Sequence, residues 1–219
     1  EKGLGGLPYG CAGKTVHLMS GGIDSPVAFY QMARRGVTVV PLHFHSKPLT
    51  SERSLEKVRD LLRKLTPYVG PIDFYHLNLF KVQMAIKEVC EHRYFTILQR
   101  RFMTKLADRL ADEVGALVLS TGENIAQVAS QTLEGMVCTN EASRKPILRP
   151  LISLDKEDII TMAKRIDTFE TSILPFDDCC TVFLPEKVAT RPRLEDVIKE
   201  EEKLDIDRLL EEALSTLEK

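Results

Sequence analysis

The chain has 219 residues, a formal net charge of −2, 43% hydrophobic residues and 28% charged residues. That balance suits one sizeable globular domain or two small ones, and it excludes collagen-like, low-complexity and wholly disordered chains. No apolar run approaches the roughly 18–20 residues of a membrane span, and the glycine-rich start is not the basic-then-apolar leader of a secreted protein.

Residues 1–13 hold five glycines and one proline and read as a linker. Residues 15–19 form a short β-type run ending in Ser20-Gly21-Gly22. The stretch 26–35 reads as a helix with Ser25 as cap and Pro26 at the first position, where its missing N–H costs nothing. Gly36 stops it. Residues 37–44 are almost continuously apolar, as in a strand covered on both faces. A helix is expected over 51–65, with Leu55, Val58, Leu61, Leu62 and Leu65 at helical spacing. A third strand follows over 72–79, then a long helical stretch from Lys81 to Val114 with a break near Glu91. Gly115 ends that stretch, 116–120 is a fourth strand, and 155–165 is a further helix. The last segment, 195–219, sets ten acidic residues against four basic ones and carries Leu204, Leu209, Leu210, Ala213, Leu214 and Leu217. It reads as an acidic amphipathic helix beyond a body spanning 14–194.

Strands alternating with helices imply parallel βαβ units, hence an α/β fold with a doubly wound parallel sheet. Ligands of such sheets sit beyond the carboxyl ends of the strands. Residues 20–25, 43–46 and 120–124 fall there. Ser20-Gly21-Gly22-Ile23-Asp24-Ser25 joins a strand to a helix. Its glycines permit positive φ and close approach of an anion. The helix start supplies N–H groups and the positive end of a dipole, and the serines supply hydroxyls. The alternative, a plain turn with a capped helix, does not call for two glycines, an acid and two serines together. Gly13-Lys14-Thr15 imitates the end of a Walker loop, but Pro8 stands where that motif needs glycine and a strand follows. His43 and His45 alternate on one strand face, with no third metal ligand at suitable spacing; no metal ligand is assigned. Five cysteines, an odd number, do not form a disulfide scaffold and point to a reducing cytoplasm. Cys11, Cys90 and Cys138 stand singly and read as structural. Cys179-Cys180 follow two aspartates in a segment without helical pattern, where a thiol can be reactive.

The phosphate loop resembles the PP-loop of the ATP pyrophosphatases, which cleave ATP between the α and β phosphates. Longer segments resemble one branch, the tRNA 4-thiouridine synthases (ThiI). They are Leu18-Met19-Ser20-Gly21-Gly22-Ile23-Asp24-Ser25-Pro26-Val27-Ala28, Pro41-Leu42-His43-Phe44-His45-Ser46 with Thr50-Ser51-Glu52-Arg53, Gly122-Glu123-Asn124-Ile125-Ala126-Gln127-Val128-Ala129-Ser130-Gln131-Thr132-Leu133, Leu148-Arg149-Pro150-Leu151-Ile152, and Asp177-Asp178-Cys179-Cys180-Thr181-Val182-Phe183. Together they cover roughly residues 3–191 in family order. Ala126, Ser153 and Asp167 stand where that pattern leads one to expect glycine. The family's ferredoxin-like and THUMP domains, and the rhodanese domain of some members, are absent from this sequence, which therefore reads as a catalytic domain.

The resemblance implies a Rossmann-like fold of the PP-loop, adenine nucleotide alpha hydrolase type. It places ATP against Leu18, Met19, His43, Phe44, Arg100, Gly122 and Gln131, with the loop residues Ser20, Gly21, Gly22, Asp24 and Ser25 at the phosphates and Mg²⁺ beside Asp24. Arg100 adjoins Arg101, and without the resemblance either reads equally well as a surface residue. A cysteine of the pair would deliver sulfur, and the Cys-Thr-Val-Phe spacing favours Cys180 over Cys179; Cys138 as a third iron–sulfur ligand is an alternative. Implied partners are tRNA, a cysteine desulfurase as persulfide donor and a thiamine sulfur-carrier protein, with no membrane; the oligomeric state, a homodimer included, stays open. Arg53, Lys57, Lys64, Arg144, Lys145 and Arg149 are candidate contacts to tRNA phosphates, or else a solvated face. Rival readings are a tRNA 2-thiouridylase, an amide-forming synthetase and a non-catalytic ATP sensor.

Overall fold

In the computed structural model, which describes residues 5–128, 130–176, 179, 182–183 and 187–219, five parallel strands lie in the order β3-β2-β1-β4-β5. They are β1 (Lys14–Leu18), β2 (Thr38–His45), β3 (Tyr75–Asn78), β4 (Val118–Ser120) and β5 (Ile147–Leu148). The strand side chains alternate: Val40, Leu42 and Phe44 enter one core, and Val39 enters the other. The helices are α1 (Asp24–Arg34), α2 (Glu52–Val69), α3 (Phe80–Val89), α4 (Phe95–Val114), α5 (Leu133–Glu141), α6 (Lys156–Arg165), α7 (Phe169–Ser172), α8 (Leu194–Glu201) and α9 (Ile206–Leu214), with a 3₁₀ turn over His92–Tyr94. On one face Phe95, Leu98, Phe102 and Leu106 of α4 pack with Leu209 and Leu210 of α9. On the other, Phe29 of α1 meets Val58, Leu61 and Leu65 of α2 and Ile159 of α6. Covering both faces explains the apolar run of β2. No helix among the described residues is long and apolar enough to cross a membrane.

Strand order reverses at β1, whose neighbours are β2 and β4. A crevice therefore opens beyond the carboxyl ends of β1 and β4, where an open α/β sheet binds its ligand.

Several boundaries differ from the sequence expectation. Asp24 begins α1 and Pro26 is its third residue, with Ile23, not Ser25, at the cap. Proline is still harmless there, since no N–H of the first turn has an intrahelical partner. Helix α2 runs through Pro67 to Val69. Pro67 cannot donate to the Arg63 carbonyl, and Thr66 Oγ1 does so instead at 2.7 Å. The third strand shortens to Tyr75–Asn78, and β5, α5 and α7 were not foreseen. The expected tail helix is two helices, and Val197, Leu204, Leu209 and Ala213 belong to the main core. Glu218 even pairs with β3, exchanging backbone bonds with His76 at 2.9 and 3.0 Å.

The glycine-rich start, expected as a free linker, is laid against α1 where it is described. Leu7 N–H donates to Arg34 O and Ala12 N–H to Gly36 O, both at 2.9 Å. At Gly6, with φ +102°, an added Cβ would collide with the Arg34 carbonyl. Composition marks such residues as irregular backbone; it does not say that they are unpacked.

Candidate functional site

Two serines close the phosphate loop. Ser20 N–H donates to Ser25 Oγ at 2.9 Å, and Ser25 Oγ–H donates back to Ser20 O at 2.8 Å. Gly22 N–H reaches Ser20 Oγ at 3.3 Å. The hydroxyls, assigned from sequence to the phosphate, thus shape the loop. The expected positive φ does not occur at Gly22, where an added Cβ would make only ordinary contact with Ser20 Oγ at 3.6 Å. Since no side chain caps the start of α1 at Ile23, the N–H groups of its first turn and the positive end of its dipole remain for an anion.

His17, which sequence reading passed over, fixes this loop to the sheet. Its Nε2 lies 2.9 Å from Ser25 O and its Nδ1 2.9 Å from Ser120 Oγ. Burial pushes its pKa down to about 4 against the opposing pull of the Ser25 carbonyl, so the ring is neutral at neutral pH. A carbonyl only accepts, so Nε2 carries the proton and Nδ1 accepts from Ser120. One neutral imidazole thereby ties β1 and β4 to the first turn of α1.

Gly122 follows β4. An added Cβ there would lie 2.9 Å from Asp24 C and Ser25 N. The start of α1, just past the phosphate loop, therefore already requires glycine at this position, which also lines the cavity described below. Beyond it, Glu123 is buried between two guanidinium groups, with Oε1 2.6 Å from Arg100 Nη1 and Oε2 2.7 Å from Arg149 Nε. Burial alone would raise its pKa, but Arg100, Arg149 and the Thr121 hydroxyl outweigh burial and hold the carboxyl below its ordinary range. Two fixed cations on one carboxylate leave a net positive cluster facing the cavity, an arrangement suited to phosphate.

Asp24 lines the same cavity. Lys156 Nζ approaches its Oδ1 at 2.7 Å and Gln127 Nε2 its Oδ2 at 3.2 Å. The cavity between these groups measures about 330 Å³ and includes Leu18, Ser20, Asp24, Ser25, Arg100 and Gln131. The buried Gln131 Oε1 has no partner among the described residues and so can accept a hydrogen bond from a ligand. A smaller pocket of about 50 Å³ shares Leu18, Ser20 and Met103 and adds Met19, His43, Phe44 and Cys179. His43 Nδ1 is fixed 2.9 Å from Met19 O. Gln83 Nε2 donates to Cys179 O at 2.8 Å, and Gln99 Nε2 lies 3.9 Å from Cys179 Sγ.

The structure thus brings Leu18, Met19, Ser20, Asp24, Ser25, His43, Phe44, Arg100, Gly122, Gln131 and Cys179 around two joined pockets; Gly21 and Gly22 lie between them in sequence on the loop. Cys180, Asp177, Asp178 and Thr181 lie outside the described residues. Cys138 Sγ is directed at Pro192 O, 3.8 Å away, and Cys90 is pushed up to about 11 by burial and by Glu200. Glu123, Gln127, Arg149 and Lys156 were missed as site residues. Glu123, Gln127 and Arg149 stood inside quoted motifs, and Arg149 was assigned to tRNA phosphates instead, so the available signal was their polar chemistry within those motifs.

Two of the three positions where glycine was expected prove left-handed, with φ of 60° at Ala126 and 59° at Asp167. Ala126 lies in the segment that carries Gln127 and Gln131. An alanine in this region costs about 1 kcal/mol, so Ala126→Gly is expected to raise the melting temperature by about 2–4 °C. A calorimetric melt that is unchanged or lowered refutes the assigned strain.

A family model described as thiamine biosynthesis protein (ThiI) matches residues 10–206. A probable tRNA sulfurtransferase of Alkaliphilus metalliredigens is 53% identical over 99% of this chain, and one of Finegoldia magna is 52% identical over 99%. The chain spans 55% and 56% of those relatives, about half their length. A crystal structure of a 4-thiouridine synthetase–RNA complex with bound ATP superposes over 98% of this chain and 56% of its own, with TM-score 0.94 and 43% identity.

Proposed function

The chain belongs to the ThiI family, and from that premise we propose that it is the catalytic portion of an ATP-dependent tRNA sulfurtransferase that converts a uridine to 4-thiouridine. The observation that carries this reading is the adjacency of the two pockets, which share Leu18, Ser20 and Met103: a phosphate cradle lies beside an apolar slot walled in part by Cys179.

Adenine is assigned to the mouth of the slot, against Leu18, Met19, His43 and Phe44, where backbone groups can read its edge. The triphosphate lies along the loop toward α1. Uridine O4 attacks the α-phosphate; pyrophosphate leaves toward the N–H groups of α1, and Arg100 and Arg149 balance the growing charge. The oxygen on C4 is then part of a good leaving group. The terminal sulfur of a persulfide on Cys180 adds to C4, and the C4–O bond breaks to release AMP. Cleavage of the remaining S–S bond by a second thiol frees the thiouridine and leaves a disulfide for an external reductant. Of the two carboxylates lining the cavity, Glu123 is committed to its arginines, so Asp24 is the residue that would hold Mg²⁺. That ion would supply charge neutralisation at the phosphates.

A cysteine desulfurase as sulfur source, a thiamine sulfur-carrier as a further acceptor, a homodimer and a cytoplasmic location complete the proposal. An amide-forming synthetase has no use for a thiol in the wall of this slot.

Asp24→Asn keeps the side chain's size but removes its charge from the phosphate loop. Loss of one such group costs about a hundredfold or more in pyrophosphate release, whereas melting changes little because the Lys156 pair is partly exposed. Native turnover in a well-folded variant would remove Asp24 from the chemistry.

A further inference from the structure

Most of the basic residues that sequence nominated for RNA are already engaged. Lys57 is buried, with Nζ donating to Leu174 O at 2.8 Å, and Lys64 is 2.6 Å from Asp167. Arg144 and Lys145 face Asp108 and Asp112, so that cluster carries no net charge, and Arg149 lies on Glu123 inside the nucleotide cavity. Arg53 stands exposed on α2.

A different set of cations converges elsewhere. A concavity of about 470 Å³ is lined by Arg93, Lys187, Arg191 and Arg193, with Asp196 as the single lining carboxylate among the described residues. Among the described residues, neither Lys187 nor Arg193 has an acidic group within ion-pair distance. The other two pairs are exposed: Arg93 with Glu91 at 2.9 Å, and Arg191 with Glu134 at 3.9 Å. Exposed pairs of this kind are worth little and are readily exchanged for phosphate.

Cys179 and three of these cations, Lys187, Arg191 and Arg193, belong to one stretch of sequence. It begins at Cys179 in the wall of the adenine slot. Further on, Phe183 packs edge-on against Phe95 at the start of α4, with Lys87 Nζ 4.8 Å from the Phe183 ring centre. It then reaches Arg93, whose carbonyl accepts from Ala189 N–H at 3.0 Å.

We propose that Arg93, Lys187, Arg191 and Arg193 form a docking surface for the phosphate backbone of the RNA substrate. The proposal rests on the reading of the chain as a tRNA-modifying domain. Converging cations around a hollow suit a polyanion, and contacts of this type position RNA without reading its sequence.

The test uses the 219-residue chain and an unmodified tRNA transcript, with binding measured by anisotropy between about 50 and 200 mM salt. In the triple variant Lys187→Gln/Arg191→Gln/Arg193→Gln, affinity should fall about tenfold or more, and the slope of log affinity against log salt should shrink by about 2–3. ATP affinity should stay unchanged. The pair Arg144→Gln/Lys145→Gln should leave tRNA affinity as it was. If the triple variant melts early, the single changes Lys187→Gln and Arg193→Gln take its place, each expected to lower the slope by about 0.7–0.9. A slope equal to that of the unaltered chain overturns the docking surface alone. Failure of the unaltered chain to bind tRNA while it binds ATP overturns the docking surface. If the variant keeps tRNA affinity but loses binding to a persulfide-donor protein, the patch is a protein interface and the RNA proposal fails.

Discussion

Cys180→Ser releases pyrophosphate from ATP in the presence of tRNA but forms no 4-thiouridine. The first half of the reaction asks only for the phosphate loop, the Arg100–Glu123–Arg149 cluster and a positioned uridine. The second half asks for a sulfur that can be carried as a persulfide, which a hydroxyl cannot do. Thiouridine formation should therefore fall on the order of a thousandfold or more, as when other nucleophiles are removed. Cys179→Ser is expected to keep part of the activity. Its side chain is buried in the slot wall, against Gln99 at 3.9 Å, and its carbonyl is held by Gln83. These contacts fit a residue that fixes the segment rather than one that travels to a substrate. Absorbance of thiouridine and released pyrophosphate, read in parallel under one persulfide donor, separate the possibilities. Thiolation by Cys180→Ser but not by Cys179→Ser reverses the assignment within the pair. Normal thiolation by both removes the segment from sulfur transfer.

What sequence conveyed about this molecule was local, and what it withheld was largely tertiary. The break between α3 and α4 was visible because Cys90 and Glu91 interrupt two helical patterns, and Gly115 ended α4 because its left-handed φ of 68° suits glycine. The phosphate loop was legible because its chemistry lies within six consecutive residues. Glu123 was not, because its meaning depends on Arg100, 23 positions away, and Arg149, 26 positions away. The strand β5 is only two residues long, too short for any periodicity. The acidic tail misled for a related reason. Its charge describes the solvent side, whereas its place in the core depends on what α4 presents to it, most of all at Arg101.

Adjacent arginines on α4 should fail in opposite ways. Arg100 lines the larger cavity and shares Glu123 with Arg149. Arg100→Ala removes a charge-assisted partner for phosphate, so ATP affinity should drop about tenfold to a hundredfold with only a small change in melting. Arg101, one position on and about 100° around the helix, points into the interior and is 2% exposed. It is not the surface residue that adjacency suggested. Its Nε and Nη2 hold the Glu201 carboxylate at 3.1 and 2.6 Å, and its Nη1 reaches Cys138 O at 2.5 Å and Glu141 at 2.8 Å. Those bonds join α4 to α5 and to the end of α8. Arg101→Ala leaves Glu201 buried, with Lys105 at 3.5 Å as its remaining cation. Breaking a buried pair from one side costs about 3–5 kcal/mol, which lowers the melting temperature by roughly 10 °C or more in a chain of this size. The double change Arg101→Leu/Glu201→Leu removes both charges and should recover much of that loss. Calorimetric melts and ATP titrations of the three variants decide the matter. A native melt for Arg101→Ala, or a double variant no more stable than the single, shows that the pair does not hold the tail helices to the core. Undiminished ATP binding by Arg100→Ala moves the phosphates away from that side of the cavity.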